Sequence, residues 1–274
     1  MSCDKSKCSS CSKGCSDSMK DLREPENEFS NIKKVIAVMS GKGGVGKSLV
    51  TSLLAVYFSK KGLKVGILDA DITGPSIPKV FGIDEKAYQT EMGIEPGVSK
   101  GGIKVMSVNL ILDEAETPVI WRGPLIAGVV KQFWTDVHWG ELDVLLIDMP
   151  PGTGDVPLTV FQTIALDGAV IVTAPQDLVS MIVKKSHNMA KKMEVNVLGV
   201  IENMSYIKCD CGNILYPFGE GRTEAIAEES GTELIAKLPI IPSTAKLCDE
   251  GCIEDIDIAL LSEVGEKVSA KIGL

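Results

Sequence analysis

The stretch "MSGKGGVGKSLVTSLLAVYF", residues 39–58, decides the fold. Its segment "GKGGVGKS", residues 41–48, satisfies G-x-x-x-x-G-K-[ST]; the apolar run "VIAVMS" precedes it and a helical pattern follows. That is the strand, loop and helix context which gives the motif its meaning. Gly41, Gly43, Gly44 and Gly46, with Val45 among them, let the backbone curl so that successive N–H groups converge on phosphate oxygens. The helix N-terminus adds a favourable dipole. Lys47 is expected to bridge β- and γ-phosphates and Ser48 to ligate Mg2+. Lys42, at the tip, is one lysine more than the motif requires.

Outward from the loop, short β-branched runs alternate with longer helical segments. The runs are "IKKVIAVMS", "KVGILDAD", "GIKVMSV", "DVLLIDMP", "GAVIVTAP", "NVLGVIENM" and "IAKLPII". Helices are expected at 46–60, 125–134, 156–165, 178–193, 222–229 and 258–271. Strands with little polar alternation, separated by helices, imply a mostly parallel sheet covered on both faces, a doubly wound α/β fold of P-loop type. Two runs end in acids: "ILDAD" in Asp69 and Asp71, "LLIDMPPGTGD" in Asp148 with Asp155 beyond. Such acids lie at the carboxyl edge of the sheet, where open α/β folds bind ligands. Mg2+ is assigned to Ser48, Asp69 and Asp148, the last directly or through water. The attacking water is assigned to the Asp69/Asp71 pair.

The chain has 274 residues, 45% of them apolar, enough for one large α/β domain at 32–274. A formal net charge of -9 argues against a nucleic-acid partner, which needs a concentrated basic surface. No signal peptide and no stretch of about 18 apolar residues is found, so a cytoplasmic protein with no membrane partner is expected. Its eight cysteines would there stay mostly reduced, which favours metal or cluster ligation over disulfides. Residues 1–31 form a polar, cysteine-rich stretch, expected to be a flexible tail without a core of its own. Its Cys3, Cys8, Cys11 and Cys15 are spaced C-x4-C-x2-C-x3-C, close enough to wrap one iron-sulfur cluster; zinc or no metal are the alternatives.

The loop "KGGVGKS", with a lysine two residues in, resembles the deviant Walker A of the SIMIBI class, which holds MinD/ParA ATPases and nitrogenase iron protein. Further motifs are "DADITGPSIP" (69–78), "WRGP" (121–124), "DMPPGTGD" (148–155), "TAPQDL" (173–178) and "ENMS" (202–205). Together they resemble the Mrp/ApbC family, linked to iron-sulfur cluster assembly and delivery, over about residues 32–251. The resemblance implies an ATP hydrolase, slow and dimer-dependent, that carries clusters to apo iron-sulfur proteins. It implies a role for Lys42: reaching across a two-fold interface to the partner's nucleotide as a cation supplied in trans. It also implies that Asn203 contacts the adenine. Cys209 and Cys211 stand where such proteins carry a C-x-x-C binding a bridging [4Fe-4S] cluster, two thiolates from each chain of a homodimer. Here the spacing is C-x-C, presented by a strand or by the turn that Gly212 suggests; a dimeric zinc site or ordinary thiols are the alternatives. Longer relatives also bear an N-terminal four-cysteine segment, with wider spacing.

Two rival functions share the fold. The first is a MinD/ParA-like positioning ATPase; its membrane version needs a basic amphipathic C-terminal helix, and "IALLSEVGEKVSAKIGL" is only weakly basic. The second is an ATP-gated redox protein like nitrogenase iron protein, whose cluster cysteines follow the strand-end loops, where "DMPPGTGD" has none. Cys248, Cys252, His138, His187 and the methionines 181, 189 and 193 are expected to be structural.

Overall fold

The computed structural model of the chain describes residues 22–72, 74, 76–112, 123–175, 179–209 and 211–274. The first half runs β1 (Asn31–Ile32), β2 (Val35–Ser40), α1 (Lys47–Lys60), β3 (Val65–Asp69), α2 (Ile77–Val80), β4 (Tyr88–Thr90), β5 (Gly93–Glu95), β6 (Gly97–Val98) and β7 (Lys104–Met106). It continues with α3 (Gly123–Thr135), β8 (Glu141–Leu142), β9 (Val144–Asp148), α4 (Asp155–Thr163), β10 (Gly168–Thr173) and α5 (Val179–Lys192). The remainder is β11 (Val197–Lys208), β12 (Ile214–Leu215), α6 (Thr223–Glu229), β13 (Leu234–Pro239), α7 (Pro242–Asp249) and α8 (Ser262–Ile272).

Nine strands form the main sheet in the order β12-β11-β10-β2-β9-β3-β7-β6, with β13 also pairing β11. All these pairings are parallel except those of β12 and β6. Every residue of β2, β3, β9 and β10 is buried, as a sheet covered on both faces demands. One apolar core lies between the sheet and α1, α2 and α8; the other lies beneath α3, α4 and α5. Helix α1 is buried from Val50 to Phe58 on all sides because α8 and the turn before it cover the face turned away from the sheet. From β2 the chain crosses to β3 on one side, while β10, β11 and β13 lie on the other. The loop after β2 therefore sits at the switch point, where doubly wound sheets open a crevice.

The expected helix at 258–271 starts instead as a 3-10 turn, Ile258–Leu261, in which Asp257 accepts from Ala259 N at 3.0 Å; α8 follows. Helices α2 and α7 have four and eight residues, too short to show a clear apolar period, and each carries a proline in its first turn. The small ladders β4–β5 and β1–β8 also escaped the pattern. Of the polar N-terminal stretch, residues 24–31 lie against the domain. Glu24 N donates to Thr163 O, Trp134 Nε1 to Glu24 O, and Asn27 Nδ2 to Met92 O. Among the described residues no helix is long and apolar enough to cross a membrane.

Candidate functional site

The phosphate loop follows the fully buried β2 and ends at Gly46, which begins α1 with φ 78° and ψ 31°. That left-handed backbone disfavours any side chain, and the Asn203 carboxamide occupies the space a Cβ would take. Asn203 Nδ2 donates to Val45 O at 3.0 Å, so the middle of β11 pins the back of the loop. The first turn of α1 holds no acidic residue, leaving its positive end to an anion. A Gly46→Ala chain is expected to lose about 1–2 kcal/mol from the backbone alone. Its melting temperature should fall by several degrees and its affinity for an ATP analogue should drop, as thermal unfolding and titration would read.

Lys47 is buried, with Nζ 2.7 Å from Asp148 Oδ2, 3.6 Å from Asp71 Oδ2 and 3.2 Å from Ser48 Oγ. Asp148, wholly buried at the end of β9, accepts from Ser48 Oγ at 2.6 Å and from Thr51 Oγ1 at 2.7 Å. The charge is thus paired and its lone pairs are used, the condition under which a buried carboxylate is tolerated. Hydroxyl and carboxylate oxygens converging here form the hard donor set that Mg2+ prefers, so Ser48 and Asp148 fit the ion.

Asp69 and Asp71 are separated by their surroundings. Asp69 pairs in register with Asp148, is 1% exposed, and accepts from Ser107 Oγ at 3.0 Å and from Asp71 N at 3.2 Å. Burial first, and the neighbouring Asp148 charge second, push its carboxyl well above the usual range, while Lys47 and Ser107 pull the other way. Asp71 lies past the strand end; its side chain is 15% exposed and borders the cleft over the loop. That cleft of about 220 Å3 is lined by the loop glycines, Lys42, Lys47, Ser48, Asp71 and Pro151. Lys42 is partly exposed on its rim, and Ser40 Oγ donates to its carbonyl at 3.0 Å. Thr51 and Ser107 were missed in the sequence: Thr51 sits one turn beyond the motif, and Ser107 reaches Asp69 only through the β3–β7 pairing.

The turn alternative holds for the cysteines. Strand β11 runs past the sheet and pairs antiparallel with β12, Ile207 opposite Leu215 and Lys208 opposite Ile214. Cys209 N donates to Asn213 O at 2.9 Å and Gly212 N to Cys209 O at 2.8 Å, with Gly212 at φ 86°. Cys209 is half-buried and Cys211 exposed at this tip. Ile214, Leu215, Tyr216 and Phe218 beside them are all exposed, an apolar group of the kind that marks an interaction surface. Cys3, Cys8, Cys11 and Cys15 lie outside the described residues, as do Trp121 and Arg122 of "WRGP".

Residues 31–271 match the model of the ParA family described as NUBPL iron-transfer P-loop NTPase. Among similar proteins is an iron-sulfur cluster carrier protein of Clostridium perfringens, 51% identical over 261 residues, covering 92% of this chain and 91% of the relative. One from Methanocaldococcus jannaschii is 46% identical over 254 residues, covering 89% and 88%. A nucleotide-binding protein from Archaeoglobus fulgidus, solved with ADP, superposes with a TM-score of 0.75 at 48% identity, covering 82% of this chain and 89% of that one. The cell division ATPase MinD of Pyrococcus furiosus shares the fold alone, with a TM-score of 0.65 at 21% identity over 87% and 99% of the two chains. With its phosphate loop, strand-end acids and sheet order all in place, the chain belongs to the ParA family of NUBPL iron-transfer P-loop NTPases.

Proposed function

We propose that the protein binds and hydrolyses ATP as a face-to-face homodimer and carries an iron-sulfur cluster, its cargo, to apo-proteins in the reducing cytoplasm. The observation that carries this reading is the hairpin tip, where Cys209 and the exposed Cys211 stand beside four exposed apolar side chains, just beyond the strand that also pins the phosphate loop. Two thiolates per chain supply half of the four ligands a [4Fe-4S] cluster takes, and a two-fold axis supplies the rest. The relatives named iron-sulfur cluster carrier protein, similar over most of the chain, support the same reading. The tail's Cys3, Cys8, Cys11 and Cys15 suit a second cluster by spacing alone.

Bound at Ser48 and Asp148, Mg2+ would neutralise charge on the phosphate oxygens. Lys47, held between Asp148 and Asp71, is the cation that the β- and γ-phosphates recruit from those carboxylates. Asp71 borders the cleft and so is placed to orient the attacking water, while Asp69 behind it supports the Asp71 backbone. Asn203, at the loop's back, is assigned to the adenine. Lys42, on the rim, extends to the partner's phosphates.

Purification without oxygen, followed by iron, sulfide and zinc analysis, tests the reading. Iron and sulfide in matching amounts are expected, with transfer to an apo-ferredoxin faster than reconstitution from free iron and sulfide. Zinc in place of iron, or transfer no faster than the free ions give, would overturn it.

A further inference from the structure

Strand β11 touches both ends of this chemistry. Asn203 holds the phosphate loop through Val45 O, and six residues later the same strand delivers Cys209, about 20 Å away at ordinary strand rise. Between them its pairing with β13 is interrupted. Its register with β13 runs to Glu202 opposite Lys237 and resumes at Tyr206 opposite Pro239, so residues 203–205 stand against Leu238 alone. Within this bulge Met204 has φ 55°, a left-handed backbone that a non-glycine residue keeps only where its surroundings enforce it.

Glu202 supplies the enforcement. Its carboxylate is fully buried; Ser205 Oγ donates to Oε1 at 2.5 Å, and Thr223 Oγ1 at the start of α6 donates to Oε2. The Ser205 bond closes across the bulge like a clasp, and Thr223 anchors it to the body of the domain. Thr173 of β10 pairs with Glu202 in register, which puts the two side chains on the same face of the sheet. The Thr173 hydroxyl is buried and has no hydrogen-bond partner among the described residues. One buried carboxylate therefore has two hydroxyl donors engaged and a third beside it, the raw material of a two-position latch.

We infer that Glu202 is a positioning residue that couples the nucleotide site to the cysteine hairpin. The phosphate loop, closing on nucleotide, pulls Asn203; Thr173 replaces Ser205 as a donor to the carboxylate; the bulge opens and the hairpin moves with both thiols. This deepens the carrier reading, for it gives ATP a mechanical route to the cargo site, yet it is testable without any cargo.

The test measures alkylation of Cys209 and Cys211 by iodoacetamide in the full chain, freed of metal, resolved by mass spectrometry with and without MgATP. Wild type is expected to change its alkylation rate by about fivefold or more, the lower range of allosteric coupling. Ser205→Ala and Thr223→Val should each cut that ratio severalfold, although nucleotide-driven dimer assembly and ATP turnover are retained and assembly itself still covers part of the thiol surface, and Thr223→Ser should restore it. The Thr223 pair keeps the test intact if Ser205→Ala fails to fold. A wild-type ratio preserved in both Ser205→Ala and Thr223→Val, or no nucleotide effect in wild type, overturns the inference. Absence of iron from the purified protein would instead count against the carrier reading and leave the thiol result standing.

Discussion

A Lys42→Ala chain is expected to hydrolyse ATP about a thousandfold more slowly than wild type, the lower range for a cation supplied to the phosphates in trans. Phosphate release at saturating MgATP reads the effect, and light scattering shows whether the nucleotide still gathers two chains. Lys42 suits this test because it stands half-exposed on the cleft rim and makes no ion pair among the described residues. Lys47 does not suit it. Removing that buried ammonium leaves Asp148 and Asp71 without their cation, a loss of about 3–5 kcal/mol for a broken buried pair, so folding and catalysis would fail together.

Mixing separates action in trans from action within one chain. A Lys42→Ala chain keeps its own Asp71, and an Asp71→Asn chain keeps Lys42; in a mixed dimer one of the two sites has both. Equal mixing should restore about a quarter of wild-type turnover, since half the dimers are mixed and each holds one complete site. Turnover that stays near zero on mixing, or a Lys42→Ala chain that works normally alone, would remove the shared site from the mechanism.

How far the sequence could be read follows from the range of the interactions involved. The strands β2, β3, β9 and β10 were legible because a parallel sheet buried on both faces leaves an unbroken apolar run. The loop was legible because glycines, Lys47 and Ser48 act within eight residues of one another. Asp69 and Asp71 could not be told apart, since a spacing of two puts both on one face of an ideal strand; only the end of β3 at Asp69 frees Asp71 toward the cleft. The Glu202 clasp was invisible for a different reason. Its partners Ser205 and Thr223 lie 3 and 21 residues away, and Thr173 on the neighbouring strand, so a bulge and two element pairings must form before the group exists.

The hairpin yields the second large effect. Cys209→Ser is expected to lower iron at the dimer seam by at least about tenfold, for even a weakened outer partner costs a metal site that much and a lost thiolate costs more. In the proposed homodimer two-fold symmetry would double the damage, because one substitution would remove two of four ligands. Cys211→Ser should match it, while Cys248→Ser should retain its iron: burial pushes the Cys248 thiol above its ordinary pKa and so disfavours the thiolate that ligation needs. Iron bound by the N-terminal cysteines would survive all three changes, so each is best compared with a chain in which Cys3, Cys8, Cys11 and Cys15 are serine. Full iron in Cys209→Ser on that background would place the cargo elsewhere. The expected loss also accounts for release, since the hairpin is held by two strand pairs and two turn hydrogen bonds, and a cluster shared across such tips weakens whenever either one shifts.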